Sequence, residues 1–148
     1  MRAVVQRVSR AQVSIDGRIA GRIGLGYLVS IGVAREDSEA DAELLARKIL
    51  ALRVFADEAG KMNLALDKIG GEMLVVSQFT LLADTNAGRR PSFINAAEPG
   101  EARRLYEHFV EIVRRTGTKV ETGEFGAMMA VELVNDGPVT ILFDTRER

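Results

Sequence analysis

Ser77, Gln78 and Thr80 stand together where an apolar run ends, in the stretch "VVSQFTLLAD" over 75–84. Two hydroxyls and an amide offer donors and acceptors without net charge. At the mouth of a strand they could converge with backbone N–H groups on a polar ligand. An ordinary strand exit is the competing reading, because Ser and Thr are common at such ends. The second candidate is "NDGPVT" over 135–140. Asn-Asp-Gly has the composition of a tight hairpin turn, yet Pro138 follows at once and removes a backbone donor where the next strand should begin pairing. The third is "GRRPSF" over 88–93, where Arg89 and Arg90 offer guanidinium forks suited to phosphate geometry from within a loop.

Other chemistries lack their equipment. A charge-relay triad needs a histidine base beside its nucleophile, and the single histidine, His108, sits next to Phe109 at the margin of a helical apolar stripe with no G-x-S-x-G elbow in the chain. A packing role for His108 competes with a catalytic one. One histidine and no cysteine leave only carboxylates for a metal, which suit hard cations rather than zinc. "GRIGLGYL" over 21–28 lacks both the spacing of a dinucleotide fingerprint and a helix behind it. The reading therefore includes no metal and no cofactor.

The elements that must position these residues are set by patterning. In 2–15, Val5, Val8, Val13 and Ile15 alternate with polar positions, and Asp16-Gly17 is a hairpin turn into "RIAGRIG". "GYLVSIGVA" is more continuously apolar and reads as a central strand, entered through a bend at Gly24–Gly26. Ser38 with Asp41 three residues on resembles a capping box. Leu45, Ile49 and Leu52 then fall on one face of the helix that follows. A short strand near 53–56, a turn at "DEAGKMN" and the strongly apolar run "EMLVVSQFTLL" come next. The aperiodic stretch "ADTNAGRRPSFINAAEPG" is an ordered loop of unusual length. Pro99 opens a second helix with Leu105, Phe109, Ile112 and Val113 inward and Gly117 as its stop, and three strands close the chain at "KVETG", "GAMMAVELV" and "VTILFD".

The predicted order is β-β-β-α-β-β-α-β-β-β. Two helices cannot cover both faces of so many strands, so the fold class is α+β. Curvature of the strands into a barrel-like two-sheet layer, or dimerisation, would bury the faces that remain. The length of 148 residues fits one domain over 1–148, large enough to bury roughly 68 to 70% of its unfolded surface.

Composition narrows the class of partner. Twenty Lys and Arg against 21 Asp and Glu give a net charge of −1, which argues against an indiscriminate polyanion binder, and DNA is not among the expected partners. The pairs Arg103-Arg104 and Arg114-Arg115 read as solvated helix faces. No apolar run approaches the roughly 18 residues of a membrane span, and the N-terminus lacks the apolar core of a signal peptide, so a cytoplasmic setting is expected.

"SQFTL" and "NDGPVT" together resemble the two signature motifs of the D-aminoacyl-tRNA deacylases, and "MRAVVQRVSRA", "GKMNL", "GRRPSF" and "TGEFGAMM" match as well. The resemblance runs nearly end to end. It implies a homodimer that cleaves the ester between a D-amino acid and the terminal adenosine of tRNA, acts on glycyl-tRNA too, and takes the aminoacylated acceptor end as its partner. It implies Ser77, Gln78, Phe79 and Thr80 as the pocket floor, with Phe125 and Met129 as wall. It also implies a cis Gly137-Pro138 dipeptide that projects into the other subunit's site and rejects L-amino acids, held by Arg7. Two other classes compete. A noncatalytic RNA-binding module would call for more stacking aromatics than the 5% present, and an esterase for free small molecules would need a base.

Overall fold

The first strand, β1 (Arg2–Ile15), organises the architecture, because both of its edges are used along its length. The computed structural model describes residues 1–147. Asp16 and Gly17 take φ of 50° and 81°, the paired left-handed conformation of a two-residue hairpin, and return the chain as β2 (Arg18–Ile23) against the far half of β1. After the bend at Gly24, β3 (Gly26–Gly32) runs antiparallel to the near half, from Val8↔Gly26 to Arg2↔Gly32. β2 and β3 thus share one edge of β1.

α1 (Glu39–Leu50) starts where the capping box places it, the Ser38 N–H donating to Asp41 Oδ2 at 2.9 Å. Ala42, Leu45, Ala46 and Ile49 are its buried stripe, and Leu52 lies past its end. β4 (Arg53–Ala56) and β5 (Met62–Ala65) form a separate two-stranded hairpin around the "DEAGK" turn. β6 (Glu72–Ser77) then runs parallel to β3, and a single 3₁₀ turn, Phe79–Leu82, follows it. α2 (Pro99–Arg115) has its proline in the first turn and buries Ala102, Leu105, Tyr106, Phe109, Val110 and Val113, while Ile112 is only half-buried. Arg103, Arg104 and Arg115 are exposed and paired with Glu107, with Glu101 and Glu39, and with Glu111, as a solvated face requires.

β7 (Val120–Thr122) adds parallel to β6, and β8 (Ala130–Asp144) runs antiparallel to β1 from Ser14↔Ala130 to Arg2↔Asp144. The class is α+β as predicted, with two refinements. β5 is an additional strand beside β4. The two segments expected as separate closing strands are limbs of one strand, so Asn135-Asp136-Gly137 makes no hairpin. Val8 opposes Asn135 and Gln6 opposes Thr140, so residues 136–139 bulge out opposite the single residue Arg7 while the strand keeps its direction. The Gly137–Pro138 peptide inside that bulge is cis.

Two apolar clusters sandwich the sheet. One face of β1, β3 and β6, with Val5, Tyr27, Val29, Ile31, Met73 and Val75, packs under both helices. The opposite face presents Leu28, Leu74 and Val76 to Val8, Ala11, Val13 and Ile23, because β1 and β2 curl over it in a nearly closed barrel. Each aliphatic side chain so buried contributes about 1.5 to 3 kcal/mol relative to exposure. The Met1 amine is fully buried and pairs with Asp37 Oδ1 at 2.9 Å and with Thr145 Oγ1 at 2.6 Å, fastening β1 to the turn before α1 and to the end of β8. Among the described residues, no helix is long and apolar enough to cross a membrane.

Candidate functional site

β6 delivers its polar exit to the surface by a sharp change of direction. The Gln78 N–H donates to Ile31 O at 2.7 Å, extending the β3 ladder by one bond, and Leu81 and Ala83 close the 3₁₀ turn back to Gln78 and Thr80. The turn lies close against β3. A Cβ on Gly32 would come within 2.5 Å of Leu82 Cδ2 and 3.1 Å of Gln78 O, so only glycine permits this approach. The N–H groups of Phe79 and Thr80, at the start of the turn, have no protein partner among the described residues.

Facing this turn is a cavity of about 440 Å³. Ser77, Gln78, Phe79 and Thr80 form one side, and Phe125 and Met129 another. The sequence-predicted floor and wall are thus brought together, although Thr80 and Phe125, their nearest members, lie 45 positions apart. Ala96, Ala97 and Ala102 also line it, as does Met128, which is 91% exposed. Sequence reasoning passed over these alanines, since nothing in an alanine's chemistry marks it as pocket lining. Ala96 and Ala97 are placed by the long loop, pinned by Ala97 N–H to Val33 O at 2.9 Å and by the reciprocal Asp84–Ser92 backbone pair at 2.8 Å, and Ala102 by α2.

None of the residues lining the cavity carries an ionisable side chain. Tyr106, packed against Phe125 with centroids 6.0 Å apart, is the nearest phenol the core offers to this wall. Burial pushes its ionisation well above the ordinary range, and its hydroxyl donates to Val75 O at 2.8 Å, so it stays neutral. Phe125 and Met129 line the cavity as expected of a wall and also pack against the core clusters. His108 lies elsewhere, on α2 beside Glu43 at 3.7 Å.

Gly137 and Pro138 are exposed and line none of this cavity. Arg7 reaches them from the opposite strand. Its Nε donates to Asp136 O at 3.0 Å, its Nη1 to Val54 O at 2.6 Å, and its side chain is only 15% exposed. Asn135 Oδ1 accepts from the Val139 N–H at 3.1 Å, closing the bulge on itself. Gly137 sits at φ +130°, and a Cβ there would meet Arg7 Nη2 and Val139 Cγ2 at 2.9 Å.

Residues 4–144 match the family model described as D-Tyr-tRNA(Tyr) deacylase. The chain belongs to the D-Tyr-tRNA(Tyr) deacylase family. The D-aminoacyl-tRNA deacylase of Dehalococcoides mccartyi (strain CBDB1) is 60% identical over 148 residues, covering 100% of this chain and 97% of the relative. That of Desulfatibacillum aliphaticivorans is 58% identical over 146 residues, covering 99% and 100%. Among solved structures, the c-Myc DNA Unwinding Element Binding Protein superposes with a TM-score of 0.92 at 42% identity over 97% of this chain and 98% of that one. A probable eukaryotic D-amino acid tRNA deacylase shares the fold at a TM-score of 0.85 and 17% identity, over 96% and 97%. These relatives carry the name of an enzyme that hydrolyses the ester of D-aminoacyl-tRNA.

Proposed function

We propose that this chain hydrolyses the ester joining a D-amino acid to the terminal adenosine of tRNA, releasing free tRNA and the D-amino acid, with residues 1–148 acting as one deacylase domain of a cytoplasmic homodimer. The observation that carries the reading is an acyl-sized cavity without an acid, a base or a charged side chain, bordered by the unpartnered N–H groups of Phe79 and Thr80. An aminoacyl ester is already labile. Donors aimed at the developing oxyanion are worth about 2.7 to 4 kcal/mol each in other enzymes, enough to supply much of the acceleration. The Thr80 hydroxyl has no adjacent base to make it a nucleophile. The terminal ribose 2′-hydroxyl therefore assists the attacking water, and Ser77, Gln78, Phe79 and Thr80 hold the ester against it.

Selection for handedness comes from the main chain of a second copy. Gly137 and Pro138 stand on an exposed bulge in the middle of β8, outside their own chain's cavity, and β8 pairs with β1 alone among the described residues, which leaves its other edge to meet another protomer. Carbonyls lent by that dipeptide face the substrate's ammonium group, and an L side chain is driven against backbone. Arg7 holds the dipeptide in place, and Phe125 and Met129 wall the acyl group. Glycine has no side chain to reject, so glycyl-tRNA is a second substrate. Arg89 and Arg90 are exposed on the long loop and suit phosphates of the acceptor end.

The test is deacylation of matched D- and L-aminoacyl-tRNA with glycyl-tRNA alongside. Cleavage of the D and glycyl esters with the L ester spared is the expected result. Equal cleavage of both enantiomers would overturn the selection, and hydrolysis of a free amino-acid ester as readily as charged tRNA would overturn the substrate.

A further inference from the structure

The hairpin of β4 and β5 touches nothing in the cavity, yet it holds one end of the Arg7 strut. Among the described residues β4 pairs only with β5, in a sheet separate from the six-stranded one, and that pairing skips Val54. Val54 O is thereby left for Arg7 Nη1 at 2.6 Å, while Arg7 Nε holds Asp136 O at 3.0 Å. Something other than a sheet ladder must fix where Val54 stands. Tyr27 does so from both sides. Its ring packs on Phe55 with centroids 5.2 Å apart, and its hydroxyl donates to Leu52 O at 3.3 Å, so it contacts the chain on either side of Val54. Tyr27 is fully buried and is the direct cross-strand partner of Arg7 in the β1–β3 register.

We propose that Tyr27 and Phe55 are positioning residues for substrate handedness: they set the height of the Val54 carbonyl, and through the Arg7 guanidinium that carbonyl sets the height of the Gly137-Pro138 bulge. The proposal rests on the reading that the bulge enters the neighbouring protomer's site. A guanidinium bonded at only one end retains the rotational freedom of its long stem, whereas one bonded to two carbonyls on separate elements is fixed in direction. A bulge so held excludes the wrong enantiomer, because rejection by contact works only if the rejecting atoms cannot retreat. Loosening β4 therefore admits L substrates before it impairs the turnover of D substrates, whose ester lies at the Ser77–Thr80 turn.

The experiment uses the full-length protein with Phe55→Leu, which withdraws the ring from Tyr27, and Tyr27→Phe, which removes only the bond to Leu52. Both are assayed on D- and L-aminoacyl-tRNA, with amide hydrogen exchange followed over residues 135–140. Phe55→Leu is expected to lower the D-to-L ratio of kcat/KM by about tenfold, by gain of L turnover, with Phe55→Tyr restoring it. Exchange of the Val139 amide should quicken while the amides of β3 and β6 stay protected. Tyr27→Phe, the milder change, should move both readings in the same direction. A lowered melting temperature with an unchanged ratio and unchanged exchange at 135–140 would make the hairpin purely structural and overturn the proposal. Gly137→Ala serves as control. If it lowers the ratio and neither aromatic variant does, the positioning role alone fails; if it too leaves the ratio unchanged, the reading of the bulge fails and the proposal falls with it.

Discussion

The rings of Phe79 and Phe93 meet edge to face, with centroids 4.9 Å apart and planes inclined at 71°. Phe79 belongs to the turn that bears the free N–H groups, and Phe93 belongs to the long loop whose alanines close the cavity. Phe79 is nonetheless 55% exposed, so Phe93 is a principal restraint on the face it does not bury. Edge-to-face pairs are worth about 0.5 to 1.5 kcal/mol beyond their buried area. Phe93→Ala should therefore lower kcat/KM for D-aminoacyl-tRNA by about twofold to tenfold, and Phe93→Tyr should restore it. Steady-state deacylation of one D-aminoacyl-tRNA by the three proteins checks this.

The Met1 amine and the Asp37 carboxylate form an ion pair whose two side-chain exposures are 0% and 1%. Removing the charge of Asp37 leaves the buried Met1 amine bonded to the neutral Thr145 hydroxyl but without its carboxylate, and breaking comparable buried pairs costs about 3 to 5 kcal/mol. Asp37→Asn is expected to lower the free energy of unfolding by that amount, read as a lower urea midpoint at an unchanged slope, since the surface exposed on unfolding is the same. Deacylation well below the melting temperature should be unaffected, because neither group lines the cavity.

Stability should fall on the acid side for an identifiable reason. Burial raises the Asp41 carboxyl, but bonds from the Thr145 hydroxyl and the Ser38 N–H outweigh it and hold the group below its ordinary range. Asp144 is likewise raised by burial and lowered further by the Arg146 N–H and the Arg2 guanidinium. A carboxyl depressed in the folded state contributes stability that is complete above its unfolded value, about 3.9 for Asp, and is lost as pH falls through the folded value. Urea midpoints measured from pH 6 to pH 2 should decline below about pH 4, and Asp41→Asn should flatten that decline.

Much of this fold could be read from local pattern, and the exceptions share a cause. The Asp16-Gly17 turn, the Ser38 and Pro99 helix starts and the buried stripes of α1 and α2 depend on residues within a turn or two of one another, so composition at short range reports them. The course of β8 does not. Asn135-Asp136-Gly137 favours reversal locally, and what keeps the strand going is β1, more than 120 positions away, which offers a partner on both sides of Arg7. The same distance separates the Arg7 guanidinium from Asp136 O, and 47 positions separate it from Val54 O, so neither bond shows in local pattern. The polar exit at Ser77–Thr80 could be read from its composition. The alanines opposite it could not, because their contribution is the absence of a side chain.

His108 stands apart from the chemistry, on α2 with its Nε2 buried and 3.7 Å from Glu43 of α1, and no lining residue of the cavity is a base. His108→Gln should leave kcat/KM for D-aminoacyl-tRNA within about twofold of the parent, in keeping with substitutions remote from a reacting centre. A loss of several orders of magnitude would return a histidine-dependent esterase mechanism to consideration.

Thr80 separates two ways of cleaving the ester. A threonine nucleophile would make its hydroxyl indispensable, with losses of roughly 10⁴-fold or more on removal, as in enzymes that form a covalent acyl intermediate. Under ribose-assisted hydrolysis the working group of residue 80 is its backbone N–H, which alanine retains. The 3₁₀ turn that aims this N–H is closed by Leu81 and Ala83 through main-chain bonds to Gln78 and Thr80 carbonyls, so it survives the substitution as well. Thr80→Ala is therefore expected to lose no more than about tenfold in single-turnover rate. The same protein should lose far more on tRNA ending in 2′-deoxyadenosine, because the substrate hydroxyl and not the side chain then carries the reaction. A collapse of the Thr80→Ala rate with substrate binding retained, together with normal turnover of the deoxy substrate, would assign the nucleophile to the threonine.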